Sequence, residues 1–97
     1  MERQTWMIHG SALKHRITAE SMIWVVETAG LIFVRPAEPE RGRSSEQYVY
    51  LGDDPGGTPL EVMSIPTADG RVLIIHAMPL RAKFHDQYLE AMTWRRR

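Results

Sequence analysis

Two glycine-bearing turns cut residues 47–79 into three strand-length segments, and this division constrains the fold more than any other feature of the chain. The turns are DPGG at 54–57 and Asp69-Gly70. Before the first, QYVYLGD alternates, with Tyr48 and Tyr50 on one face and Val49 and Leu51 on the other. PLEVMSIP lies between the turns. RVLIIHAM follows Asp69-Gly70, a strong tight-hairpin signal. It is a continuous apolar run, as expected of a central strand covered on both faces, or on one face plus a partner. Pro79 stops it, because proline cannot donate to a ladder. The expectation is an antiparallel three-stranded meander that needs helices to cover it.

Helix signals lie on both sides. Thr18 is a good N-cap, and Ile17 with Met22 forms a hydrophobic staple. Met22, Ile23, Val25, Val26 and Ala29 give a wide apolar face, and Gly30 suits a left-handed C-cap. The first helix is expected over 19–29. A second is expected over 81–93, with Phe84, Tyr88, Ala91 and Met92 on one stripe. TWMIH, residues 5–9, reads as a short first strand, SALKHR as one helical turn and LIFVR, residues 31–35, as extended. PAEPERGRSSE, residues 36–46, is a polar loop, and 94–97 are a basic tail. The fold class is α+β, a single domain over 1–97 with an antiparallel sheet packed by an N-terminal and a C-terminal helix.

Ninety-seven residues support one core. The chain has no cysteine, which excludes disulfides and thiolate metal sites and favours a reducing cytoplasm. The longest apolar runs, Met22-Val26, Leu31-Val34 and Val72-Ile75, fall far short of the roughly 20 residues of a membrane span. MERQTW lacks the apolar stretch of a signal peptide. Net charge is zero but unevenly spread. Residues 71–97 carry six basic side chains against two acidic, and 36–70 carry two against seven. A basic C-terminal third can attract phosphate.

The chemistry concentrates in VLIIHAMPLRAKFHDQY, residues 72–88. Strict alternation puts His76 on one face with Val72, Ile74 and Met78. On the expected helix, Arg81 and His85 are four apart and therefore adjacent, with Lys83 to one side and Tyr88 next to His85. Cations in the first turns of a helix oppose its dipole, which suggests that an anion holds them there. A tight turn after Pro79 brings His76 toward Arg81 and His85. A second basic knot, Lys14-His15-Arg16, precedes the first helix.

Such a group suits RNA phosphodiester cleavage. The 2′-hydroxyl must lose a proton, the phosphorane must be stabilised and the 5′-oxygen must gain a proton. Histidine moves protons near neutral pH, while arginine and lysine clamp phosphate oxygens. No metal or cofactor is needed, and the product is a 2′,3′-cyclic phosphate. Metal-binding readings fare worse: Asp53-Asp54 belong to a turn, and there is no HExxH.

Lys14-His15 before the helix, the proline-containing loop, then EQYVYLG, PLEVMSI, DGRVLIIHAM and a basic, tyrosine-bearing helix form an order that resembles the BrnT-like toxins of the RelE-like group of small bacterial ribonucleases. The resemblance spans residues 9–92. It implies a RelE/BrnT-like fold and RNA cleavage that arrests translation, on free or ribosome-bound mRNA. It also implies a co-expressed antitoxin, commonly of the ribbon-helix-helix type. Lys14 and His15 match the family's Lys-His pair, Lys83 and His85 fall where related helices carry arginines, and Tyr88 matches a helix tyrosine. Arg81 lies one turn earlier. The chain departs at Met78, where many members have arginine, and in its neutral charge.

The candidate catalytic residues are thus His76, Arg81, Lys83, His85 and His15, with Lys14, Arg16 and Tyr88 as RNA contacts and no metal ligands. The alternative is a non-catalytic interaction module that binds an antitoxin-like acidic partner or nucleic acid through the same cations.

Overall fold

The computed structural model of the protein describes residues 6–29 and 31–95. In chain order these form β1 (Trp6–Ile8), a 3₁₀ turn (Gly10–Leu13), α1 (Ala19–Thr28), β2 (Leu31–Arg35), a 3₁₀ turn (Pro39–Arg41), β3 (Gln47–Asp53), β4 (Pro59–Pro66), β5 (Val72–Pro79), a 3₁₀ turn (Ala82–Phe84) and α2 (His85–Arg95). Thr5, Gly30, Arg96 and Arg97 lie outside the described residues, and with them the proposed glycine cap and most of the basic tail.

The β3–β4–β5 meander forms as its turns dictate. Both hairpins use a three-residue loop that ends in a left-handed glycine. In the first, Asp54 N donates to Thr58 O and Gly57 N to Asp54 O, both at 2.9 Å, with Gly57 at φ 87°. In the second, Thr67 N donates to Arg71 O at 2.9 Å and Gly70 N to Thr67 O at 3.0 Å, with Gly70 at φ 80°. An aspartate braces each loop. Asp54 Oδ1 accepts from the backbone N–H of Gly56 and of Thr58. Asp69 accepts from Arg71 and Thr67, which hold its carboxyl down to about 2.

The sheet is mixed, which corrects the all-antiparallel expectation. Its order is β1-β5-β4-β3-β2, and β1 runs parallel to β5. His9 N donates to Ile74 O and Ser11 Oγ to Ile75 O, so the segment after β1 stays zipped to β5. This pairing covers an edge that the meander alone would leave open. It also makes β4, rather than β5, the middle strand. Leu60 through Ser64 are buried without a break, whereas β5 is mostly half-buried.

α1 begins as expected, with Thr18 Oγ1 accepting from Ser21 N at 3.1 Å. Met22, Val25 and Val26 pack on Tyr50, Leu60, Val62, Ile74 and Ala77, and Ile17 joins from the staple position. Each fully buried aliphatic side chain here contributes about 1.5–3 kcal/mol of transfer free energy. On the opposite face Val49, Leu51, Met63 and Phe84 form a second cluster, flanked by Phe33, Ile75, Leu80 and Tyr88. α2 packs on β3 and β2, so it lies over that half of the face. The radius of gyration, 13.2 Å, matches a single domain of this length.

The loop at 36–46 carries its own structure. Glu38 and Arg43 exchange backbone hydrogen bonds and form an ion pair at 3.0 Å across the turn, which Gly42 closes at φ 82°.

Candidate active site

β5 does not alternate strictly. Met63 pairs with His76 and the next residue, Ser64, with Ile74, so Ile75 is an extra residue, a β-bulge. The bulge resets the facing. Ile74 and Ala77 both join the α1 cluster, while Ile75 packs in the opposite cluster. His76 therefore leaves the face it was expected to share with Ile74. It turns toward β4's Glu61 instead.

Glu61 is the hub. It lies between Leu60 and Val62, and its side chain is 0% exposed. An isolated buried carboxylate is costly, so it must be paired and hydrogen-bonded. Arg81 supplies most of this. Its backbone N–H donates to Oε1 at 2.9 Å, Nε to both oxygens at 3.0 Å and Nη2 to Oε2 at 2.6 Å. His76 Nε2 completes the shell, 3.0 Å from Oε2. Burial pushes the carboxyl up, but the bonds from Arg81 and His76 outweigh it, and the net shift is downward. Burial lowers the His76 pKa despite Glu61's opposing pull, with Arg81 and His15 adding to the lowering.

This has a chemical consequence. An ionised carboxylate only accepts, so Nε2 of His76 carries the hydrogen. A neutral His76 then keeps its lone pair on Nδ1, ready to accept a proton. Its side chain is 19% exposed, and that of Arg81 is 38% exposed. Arg81 Nη1 has no partner among the described residues.

The same backbone bond to Glu61 explains why α2 starts late. Arg81 is extended, at φ −89° and ψ 154°, and caps the 3₁₀ turn; the α-helix begins at His85. Arg81 and His85 are therefore not helix neighbours, and neither arginine nor lysine opposes the α2 dipole from inside the helix. Both corrections follow from the extended Arg81 and the 3₁₀ turn after it.

His15 does join the group. Its ring centroid is 6.1 Å from that of His76, edge-on at 70°. The zipped segment after β1 puts it there. Lys14 caps the 3₁₀ turn and is exposed, and Arg16 follows in the left-handed region at φ 62°, also exposed. Lys83 sits on the aromatic ring of Phe84, its Nζ 5.1 Å from the centroid, and Arg81 Cζ is 5.6 Å from the same ring. Both are within cation–π range. His85 is exposed and makes no side-chain hydrogen bond or ion pair among the described residues. Tyr88 donates its hydroxyl hydrogen to Asp53 at 2.6 Å, bracing α2 against the end of β3.

The structure thus sets His76 and Arg81 on Glu61 and His15 against His76, places Lys83 on the neighbouring ring and leaves His85 without a partner in the group. Sequence reasoning overlooked Glu61. The available signal was a lone carboxylate flanked by apolar residues on a strand, which demands a cation. Among the described residues, no group of three or more His, Cys, Asp or Glu side chains could hold a metal ion, and no helix is long and apolar enough to cross a membrane. In comparisons with known proteins, no family model, curated protein or solved structure matches the chain.

Proposed function

We propose that the protein is a metal-independent endoribonuclease, the toxin of a bacterial toxin–antitoxin pair, and that its site is the His15–His76–Arg81 group. The carrying observation is the pair of imidazoles 6.1 Å apart beside a guanidinium, with one imidazole oriented by a buried carboxylate. RNA cleavage by 2′-oxygen attack needs one group to take a proton and another to give one. His76 Nδ1 takes the 2′-hydroxyl proton as the 2′-oxygen bonds to phosphorus. His15 gives a proton to the 5′-oxygen as the phosphorus–oxygen bond breaks, leaving a 2′,3′-cyclic phosphate. Arg81 balances the charge gained by the phosphorane. Lys83, on the same aromatic ring as Arg81, adds positive potential. The sequence resemblance to BrnT-like toxins points the same way and supplies the expected partner, an antitoxin; a chain without cysteine suits a reducing cytoplasm.

One observation favours a non-catalytic interaction module instead: Glu61 already neutralises Arg81, so part of the basic cluster is spent internally. Induced expression in a bacterial host separates the two. Growth arrest with cleaved transcripts, relieved in a His76→Ala, Arg81→Ala variant, is the result expected of the nuclease. Equal growth of both strains with intact RNA would favour the module.

A further inference from the structure

Arg35 closes β2, in register with Gln47 on β3. Its Nη1 donates to Gln47 Oε1 at 3.2 Å and approaches Met63 Sδ at 3.6 Å. One acceptor is a neutral amide and the other a weak thioether, which leaves most of the five guanidinium donors unanswered. The other partnered arginines differ. Arg41, Arg43, Arg71 and Arg81 each pair with a carboxylate. Arg35 is half-buried and has no carboxylate within ion-pairing distance among the described residues. Burial lowers its pKa, and Arg43 and Arg81 push in the same direction, ahead of the opposing pull of Glu38 and Glu61. A guanidinium stays charged regardless. A half-buried cation, repelled by two others and short of acceptors, is stabilised by any anion that reaches it.

Met63 relates Arg35 to the proposed site. It is 3% exposed and pairs directly with His76 across β4 and β5. The Arg35 guanidinium reaches Met63 from one flank, and His76 stands on the other.

We infer that Arg35 is a second phosphate-binding residue of this site, holding an RNA strand that runs from the His76–Arg81 side of the sheet toward β2. The identification of the anion as RNA phosphate rests on the ribonuclease reading; the capacity of Arg35 to hold an anion does not. Arg35 on Met63 and Arg81 on Glu61, two residues apart on one face of β4, are two cationic positions that suit neighbouring phosphates of one strand. Arginine recognises each by a planar fork that lysine lacks.

The test is binding of a fluorescein-labelled 2′-O-methyl RNA octamer, which cannot be cleaved, followed by anisotropy in about 50–200 mM salt. Thermal melts of each variant establish folding. Arg35→Met is expected to weaken binding about tenfold at low salt, as loss of a hydrogen-bonded charge implies. It should also reduce the slope of log K against log salt by about 0.7, one phosphate contact on a single strand. Arg35→Lys should keep the slope and lose affinity severalfold. A purely structural arginine would leave the slope alone. Arg35→Met binding with wild-type affinity and slope overturns the inference. If that variant does not fold, Arg35→Lys binding as tightly as wild type overturns it. No binding by the wild type overturns it too. Binding with the Arg35 dependence, but no cleavage of the matching unmodified RNA, supports Arg35 and removes the nuclease.

Discussion

His76 Nε2 lies 3.0 Å from Glu61 Oε2, and a single extra residue, Ile75, is what turns the imidazole to that side of the sheet. The carboxylate then does two jobs. It orients His76 by taking the Nε2 hydrogen, and it fixes Arg81 through side chain and backbone together. The strand-to-helix passage at 79–85 is shaped by this one buried charge.

Removing Arg81 leaves that charge short of partners. Arg81→Met is expected to cost about 2–4 kcal/mol in urea denaturation, since uncompensated buried charge is the expensive case. Glu61→Leu combined with Arg81→Met should recover most of the loss, because an apolar replacement of the whole pair removes the charge as well. A double variant no more stable than Arg81→Met would show that the ion pair is not the source of the cost.

Stability should fall on acidification in two stages. The His76 pKa is lowered below 6.5 in the folded protein, so the unfolded chain binds the proton first and stability declines as pH drops from 6.5 through the folded value. The Glu61 pKa is lowered below 4.5, so its contribution is present above 4.5 and is lost as pH falls through its folded value. His76→Gln should remove the first stage and keep the second. Unfolding free energies of wild type and variant between about pH 2 and pH 7 provide the check; parallel curves across the upper half of that range would contradict it.

The hairpin glycines should matter for conformation alone. Nothing lies within 4 Å of a Cβ added at Gly57 or Gly70, but both have positive φ, 87° and 80°. Gly57→Ala and Gly70→Ala are each expected to cost about 1–2 kcal/mol. Gly10→Ala, where the added Cβ also meets open space and φ is not positive, should not be destabilising. Thermal melts of the three variants decide the matter.

Tyr88→Phe removes the hydroxyl bonded to Asp53 and should cost about 1 kcal/mol. RNA cleavage should stay within about twofold of wild type if Tyr88 is a brace for α2. A loss of cleavage without loss of stability would return Tyr88 to the RNA contacts.

The local features of this fold were legible because local chemistry determines them. Asp54, Gly57, Asp69 and Gly70 specify their turns within five residues, and Thr18 specifies its cap within three. Features set by distant pairing were not. The bulge at Ile75 appears only when β4 and β5 are in register, and the parallel β1 depends on where β5 lies. Alternation therefore put His76 on the wrong face. Its nearness to Arg81 was expected from the short turn after Pro79, and the two do meet, through Glu61 rather than along a helix. Arg35 was hidden for the same reason: its meaning lies in Met63, twenty-eight residues on, and in His76 beyond it.

The most direct measurement is cleavage of an end-labelled RNA by the purified full chain in EDTA, with wild type, His15→Ala and His76→Ala compared and product ends analysed. Wild type should release fragments with 2′,3′-cyclic phosphates, and each variant should be slowed at least about a hundredfold, as loss of a proton-transfer group implies. Intact RNA with wild type, or variants that cleave at the wild-type rate, would contradict the account.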